Sequence, residues 1–150
     1  MGIAPIGVTF DGTHIWVANN SSNSVTELNE SGSVVRTVSV GTNPRYLAFD
    51  GTNMWVANFG SNNVAVLNVS NRALVRTVSV GTNPNGIAFD GTNMWVANNS
   101  SNTVTKIQAA TGHILGTSTG VTGAFAVAFD GANVWVTNNP NSVGNTVSKL

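Results

Sequence analysis

The side chains that could move protons or hold metals are few in this 150-residue chain. They are four aspartates (Asp11, Asp50, Asp90, Asp130), two glutamates (Glu27, Glu30) and two histidines (His14, His113). There is no cysteine, which excludes disulfides, iron–sulfur clusters and thiolate zinc sites. All four aspartates occur in the same tripeptide, Phe-Asp-Gly. An Asp before Gly in a turn accepts hydrogen bonds from nearby backbone N–H groups. A ring of calcium sites would need several converging oxygens, and each turn supplies one carboxylate. Glu27 and Glu30 could form an acid–base pair, but their spacing puts them near a strand end at the rim, in solvent. His14 opens a second strand and His113 follows a turn two units later, so both read as surface residues. No serine sits in a nucleophile-elbow motif. Gly-Thr-Asn-Pro lacks the Lys and the helix of a phosphate loop. The expectation is a chain with no catalytic residues, no metal site and no cofactor.

What positions these residues is an internal repeat. Phe-Asp-Gly recurs at 10–12, 49–51, 89–91 and 129–131, and a Trp follows each, at 16, 55, 95 and 135. The ten residues at 49–58 recur unchanged at 89–98, and the nine at 36–44 recur at 76–84. Four units cover one domain, 1–150, divided at about 1–40, 41–80, 81–120 and 121–150. Each reads as four short strands: Arg45–Phe49, Met54–Ala57, Thr103–Ile107 and Val34–Val40 stand for the four types. Asp-Gly, an Asn-rich loop and a Gly-containing turn separate them. Helical periodicity is absent.

Four antiparallel strands in about 40 residues, repeated, define a β-propeller blade. The small residues Thr9, Ala48, Ala88 and Ala128 suit an innermost strand crowded at an axis. Trp16, Trp55, Trp95 and Trp135 suit packing between neighbouring sheets. A leucine-rich solenoid or parallel β-helix has shorter repeats. The fold class is therefore all-β, a propeller of four blades per chain, the last without its outer strand.

The runs Trp-Val-Ala-Asn at 55–58 and 95–98 and Trp-Val-Thr-Asn at 135–138 resemble the Tyr-Val-Thr-Asn signature of YVTN/NHL-type propeller repeats. The resemblance covers essentially the whole chain and implies a propeller. It implies no single activity, because that family mixes enzymes with binding proteins. It extends to virginiamycin B (streptogramin) lyases, propellers that use a His with a Mg²⁺ site; His14 and His113 do not fall on matching positions. The resemblance also points to secreted or periplasmic settings, while the residues name no compartment.

Positions that drift between near-identical units mark a candidate ligand surface. The residue after the Pro position is Ile6, Arg45, Asn85 or Phe125. Arg45, Asn85 and Phe125, together with Tyr46, Phe59 and, in the longer fourth loop (139–144), Asn141, form a candidate site on the Asn-rich loop face. Aromatics, amides and one Arg suit a neutral polar ligand such as a sugar or peptide.

Six Lys and Arg balance six Asp and Glu, so the chain lacks the basic excess that nucleic acids or anionic membranes require. No apolar run approaches the ~20 residues of a membrane helix. The start, Met1-Gly2-Ile3-Ala4-Pro5, does not read as a signal peptide. A stack of four blades leaves two apolar faces, and burying such a pair contributes on the order of 10 kcal/mol before association costs. A tight four-blade ring would cover them, as would a second copy in a two-fold ring of eight; the flat, Ala-centred units favour the homodimer. Three functions follow from the sequence. One is a non-catalytic scaffold or binding module that self-assembles. Another is an amplified, consensus-like or designed repeat whose one activity is assembly. The third is a lyase-like enzyme.

Overall fold

The computed structural model describes residues 2–139 and 146–150. Its described residues form fifteen strands and no helix. Blade 1 holds β1 (Pro5–Phe10), β2 (Ile15–Asn19), β3 (Ser24–Leu28) and β4 (Val34–Ser39). Blade 2 holds β5 (Pro44–Phe49), β6 (Asn53–Asn58), β7 (Asn63–Asn68) and β8 (Leu74–Ser79). Blade 3 holds β9 (Pro84–Phe89), β10 (Asn93–Asn98), β11 (Thr103–Gln108) and β12 (Ile114–Ser118). Blade 4 holds β13 (Ala124–Phe129), β14 (Val134–Asn138) and β15 (Thr146–Lys149). Each blade is a separate antiparallel meander in chain order, four-stranded in blades 1 to 3 and three-stranded in blade 4. These are propeller blades, as the repeat predicts, and the solenoid alternative is excluded.

The Asp turns hold each blade's inner hairpin. Asp50 Oδ1 accepts the backbone N–H groups of Thr52 and Asn53 at 2.8 and 2.7 Å. Gly51 takes φ +95°, a left-handed conformation that a side chain resists. The other Asp Oδ carries a contact that the sequence reading missed. Asp11, Asp50, Asp90 and Asp130 accept the indole N–H of Trp16, Trp55, Trp95 and Trp135 at 2.6–2.7 Å. The turn thus fixes the ring that packs between blades, and the constant Asp-to-Trp spacing was its signal.

The Asn-rich loops join one blade to the next. The side-chain oxygens of Asn23, Asn62 and Asn102 accept the backbone N–H of Asn43, Asn83 and Gly123 at 2.9, 2.9 and 2.7 Å. All three asparagines have φ between +52° and +56°, a conformation Asn tolerates better than most residues. Much of the asparagine on this face is therefore structural.

Blades stack in sequence. Inner strand β1 packs on β5, β5 on β9 and β9 on β13. A Cβ added at Gly86 would lie 2.6 Å from the carbonyl oxygen of Phe125, so the inner strands nearly touch at the axis. Trp16 packs among Leu47, Met54, Val56 and Leu67 of blade 2. Trp55 packs among Ile87, Met94, Val96 and Ile107 of blade 3. Trp95 packs on Val121, Ala124, Val134 and Val136 beside blade 4. Trp16, Trp55 and Trp95 therefore point forward, onto the leading face of the next blade. Among the described residues no packing of comparable extent links blade 4 to blade 1. The described residues of blades 1 and 4 do not close into a tight four-blade ring.

Candidate functional site

Two features stand out from the repeat: the ends of the blade stack, and a cluster on the loop face. The trailing face of blade 4 carries Trp135, Thr137 and Val147. Trp135 is 38% exposed and Val147 58% exposed, whereas Trp16, Trp55, Val25, Val64 and Val104 are fully buried. The alternation along β14 shows one covered face and one bare face, in contrast to β6, covered on both. The leading face of blade 1 is open along its inner strand β1, whereas Val17 and Thr26 farther out on the same face are 8% and 0% exposed. Val8 is 66% exposed, while its counterparts Leu47 and Ile87 are 7% and 8% exposed. Phe10 is exposed beside it. The two ends therefore present the two halves of one junction, which the chain builds three times internally.

On the loop face, the Arg45 guanidinium stacks on the Phe59 ring, 3.6 Å from its centroid. Arg45 Nη1 donates to Asn85 Oδ1 at 3.2 Å. Asn85 Nδ2 donates in turn to the Phe125 carbonyl at 3.0 Å. Drift positions in blades 2, 3 and 4 are thus wired together across the blade junctions. Asn85 is fully buried, so a ligand would feel it only through Arg45. Burial draws the Arg45 pKa below the usual guanidinium range, and a weaker electrostatic effect of Tyr46 opposes it. Tyr46, over a third exposed, lines a small cavity with Gly86, Ile87, Ala126 and Val127. Ile6 lies outside this chain of contacts, on the bare blade 1 edge. Asn141 lies outside the described residues.

The ionic cluster lies elsewhere and corrects the reading of Glu27. That carboxylate is 1% exposed, not solvated at a rim. Arg72 of blade 2 donates to it through Nε at 2.9 Å and Nη2 at 2.8 Å, and His14 Nδ1 lies 3.3 Å away. These two hydrogen bonds raise the Arg72 pKa. Arg72 has φ +60° at a turn position where blades 1 and 3 carry Gly32 and Gly112, at φ +78° and +77°. An Arg in that conformation is strained, and the bidentate pair across the junction offsets the strain. Glu27→Ala is expected to cost about 2 kcal/mol in urea unfolding; Arg72 keeps some solvent, which trims the cost of a fully buried pair. Glu27→Val combined with Arg72→Gly, the residue types of sibling units, is expected to recover most of it.

Every aspartate is engaged in its turn. At Asp11, burial pulls the pKa upward, and hydrogen bonds from the His14 N–H, the Trp16 indole and the Thr13 N–H outweigh it. Asp90 follows the same balance, with the Trp95 indole as its strongest lowering contact. The Trp135 indole and two backbone N–H groups hold Asp130 well below the usual carboxylate range. A pKa lowered by folding adds stability above the unfolded value near 3.9, and that stability is lost as pH falls through the folded value. The urea midpoint is expected to be level from pH 7 to about 5 and to fall below pH 4. Asp90→Asn is expected to shrink that acid limb.

Fold and site together define a β-propeller repeat protein with two open blade faces. No protein-family model matches the sequence, and no curated protein matches it. Among solved structures the chain is similar to hydrazine synthase of Kuenenia stuttgartiensis, at 24% identity and TM-score 0.89 over 98% of this chain and 46% of that one. It is similar to virginiamycin B lyase from Staphylococcus aureus, at 19% identity and TM-score 0.78 over 97% of this chain and 55% of that one. It is similar to the computationally designed protein Ika4, at 14% identity and TM-score 0.85 over 100% of this chain and 92% of that one. The chain spans about half the length of the first two and nearly all of the third. Identities this low show a shared fold and carry no activity across.

Proposed function

We propose that this chain is a non-catalytic propeller module of YVTN/NHL type that assembles with a second copy of itself. The trailing face of blade 4 packs on the leading face of the partner's blade 1, and the reverse contact closes a two-fold ring of eight blades. The observation that carries this reading is Trp135, whose ring is bare although it belongs to the motif that buries Trp16 and Trp55 completely. The contact is heterologous, tail to head, and two copies are the smallest closed assembly that covers both faces of each chain. The non-catalytic part is supported by how the carboxylates are used: the aspartates in turns and indoles, Glu27 in its ion pair.

Two one-faced variants test the polarity. Val8→Asp spoils the head and Trp135→Ala spoils the tail. Each alone is expected to run as single chains in sedimentation velocity, and an equal mixture is expected to pair through the remaining good head and tail. Pairing by either variant alone would refute the head-to-tail contact.

A binding end on the loop face is the second reading. It is supported by Tyr46, over a third exposed, next in sequence to the Arg45 that stacks on Phe59. The ligand class is a neutral sugar or a short peptide. Binding on a glycan or peptide array is expected to disappear in both Arg45→Ala and Phe59→Ala; an array without hits contradicts it.

A further inference from the structure

We infer that the loop-face site takes a short peptide through a carboxylate, which docks on the Arg45 guanidinium. This inference rests on the loop-face reading above and narrows its ligand to one class.

Charge is segregated between the two ends of the blades. The loop face is built from the loops between second and third strands and from the connections between blades. Asp11, Asp50, Asp90 and Asp130 lie in turns between first and second strands, and Glu30 lies in the turn after β3, all at the opposite end. Glu27 stands on β3 and is committed to Arg72. Those six are all the acidic side chains of the chain. Arg45 is the second residue of β5, directly after the connection from blade 1. The loop face therefore carries a cation and no carboxylate side chain to neutralise it.

The fold itself does not ask for that charge, because the sibling positions hold Ile6, Asn85 and Phe125. The guanidinium is nevertheless held in one pose. Phe59 covers one flat side of it, with 3.6 Å to the ring centroid. Nη1 donates to Asn85 Oδ1, and the bond from Asn85 to the Phe125 carbonyl fixes that amide in turn. Among the described residues this is the one hydrogen bond of the guanidinium, and its buried Nε–H has no acceptor. Nη2 is left for a ligand. A partly buried cation short of acceptors costs free energy. A carboxylate offsets that cost, because it matches a guanidinium held flat in charge and in planar shape. A neutral sugar brings no anion.

The neighbouring positions favour a peptide over a bare anion. Tyr46, Gly86 and Ala126, each the next residue along its inner strand, line an apolar cavity with Leu47, Ile87 and Val127. The contact chain at 45, 85 and 125 and the cavity at 46, 86 and 126 thus occupy consecutive positions of β5, β9 and β13. A ligand that uses both carries a carboxylate close to an apolar side chain, which a peptide supplies.

The test titrates three blocked dipeptides and follows the NMR signals of the Arg45 Nε–H and the Phe59 ring. Acetyl-Ala-Val carries a terminal carboxylate, acetyl-Glu-Val-amide a side-chain carboxylate, and acetyl-Ala-Val-amide none. At least one acid is expected to bind ~10-fold or more tighter than the neutral amide, as a charge-assisted contact requires. Which acid binds identifies the source of the carboxylate. That binding is expected to weaken with salt, to fall several-fold in Arg45→Lys, which keeps the charge without the planar fork, and to vanish in Arg45→Met. The comparison of acid with amide uses the unaltered chain, so it holds whether or not a variant folds. If the amide binds as tightly as both acids, the carboxylate is refuted while the loop-face site stands. Signals unmoved by all three peptides, or acid binding that survives Arg45→Met, also overturn the inference; array hits lost in Phe59→Ala would then still uphold the site.

Discussion

Trp135→Ala is expected to leave every blade folded and to return the assembly to single chains. The ring lies on a bare face, so its loss removes little that one chain buries for itself. At the proposed junction the same ring would fill the place that Trp16 fills on blade 2, among Leu47, Met54 and Leu67. A central Trp of that kind is a binding hot spot worth at least about 2 kcal/mol, or roughly 30-fold in dissociation constant. The variant breaks two such contacts, because each ring has two junctions. Sedimentation velocity over a concentration series reads the change. A urea midpoint close to that of a single unaltered chain would show that the blades themselves are intact.

The identical substitution one motif earlier has the opposite signature. Trp55→Ala is expected to cost about 4 kcal/mol of folding stability in urea unfolding. Trp55 is fully buried between blades 2 and 3, and its loss leaves a cavity lined by Ile87, Met94 and Ile107. It also leaves Asp50 Oδ2 without its indole donor. Against a total stability of about 5–15 kcal/mol, that is a large share. A loss below about 1 kcal/mol would mean that the forward-pointing Trp does not hold the stack together.

These two residues show what the sequence could disclose. The motif at 49–58 and its copies define blades, turns and inner strands, because local periodicity and turn chemistry decide them. Trp55 and Trp135 share that motif, yet one is enclosed and the other bare. Exposure here depends on whether a further blade follows, a property of rank in the stack that no single unit encodes. Glu27 was misread for a related reason: its partner Arg72 belongs to another unit, and a strand-end position looks solvated until the next blade arrives. The signal lay in Arg72 itself, which replaces the glycine that the sibling turns use at positive φ. At Arg45 and Asn85 the drift between units was legible, whereas the contacts linking them across blades were not. The Asn-rich loops read as a binding face, and the structure gives Asn23, Asn62 and Asn102 the work of capping the next connection.

Light scattering on the unaltered chain bears most directly on whether bare blade faces find each other. A single species at twice 15.5 kDa is the expected result at micromolar concentration. A species that stays at 15.5 kDa as concentration rises would contradict the assembly.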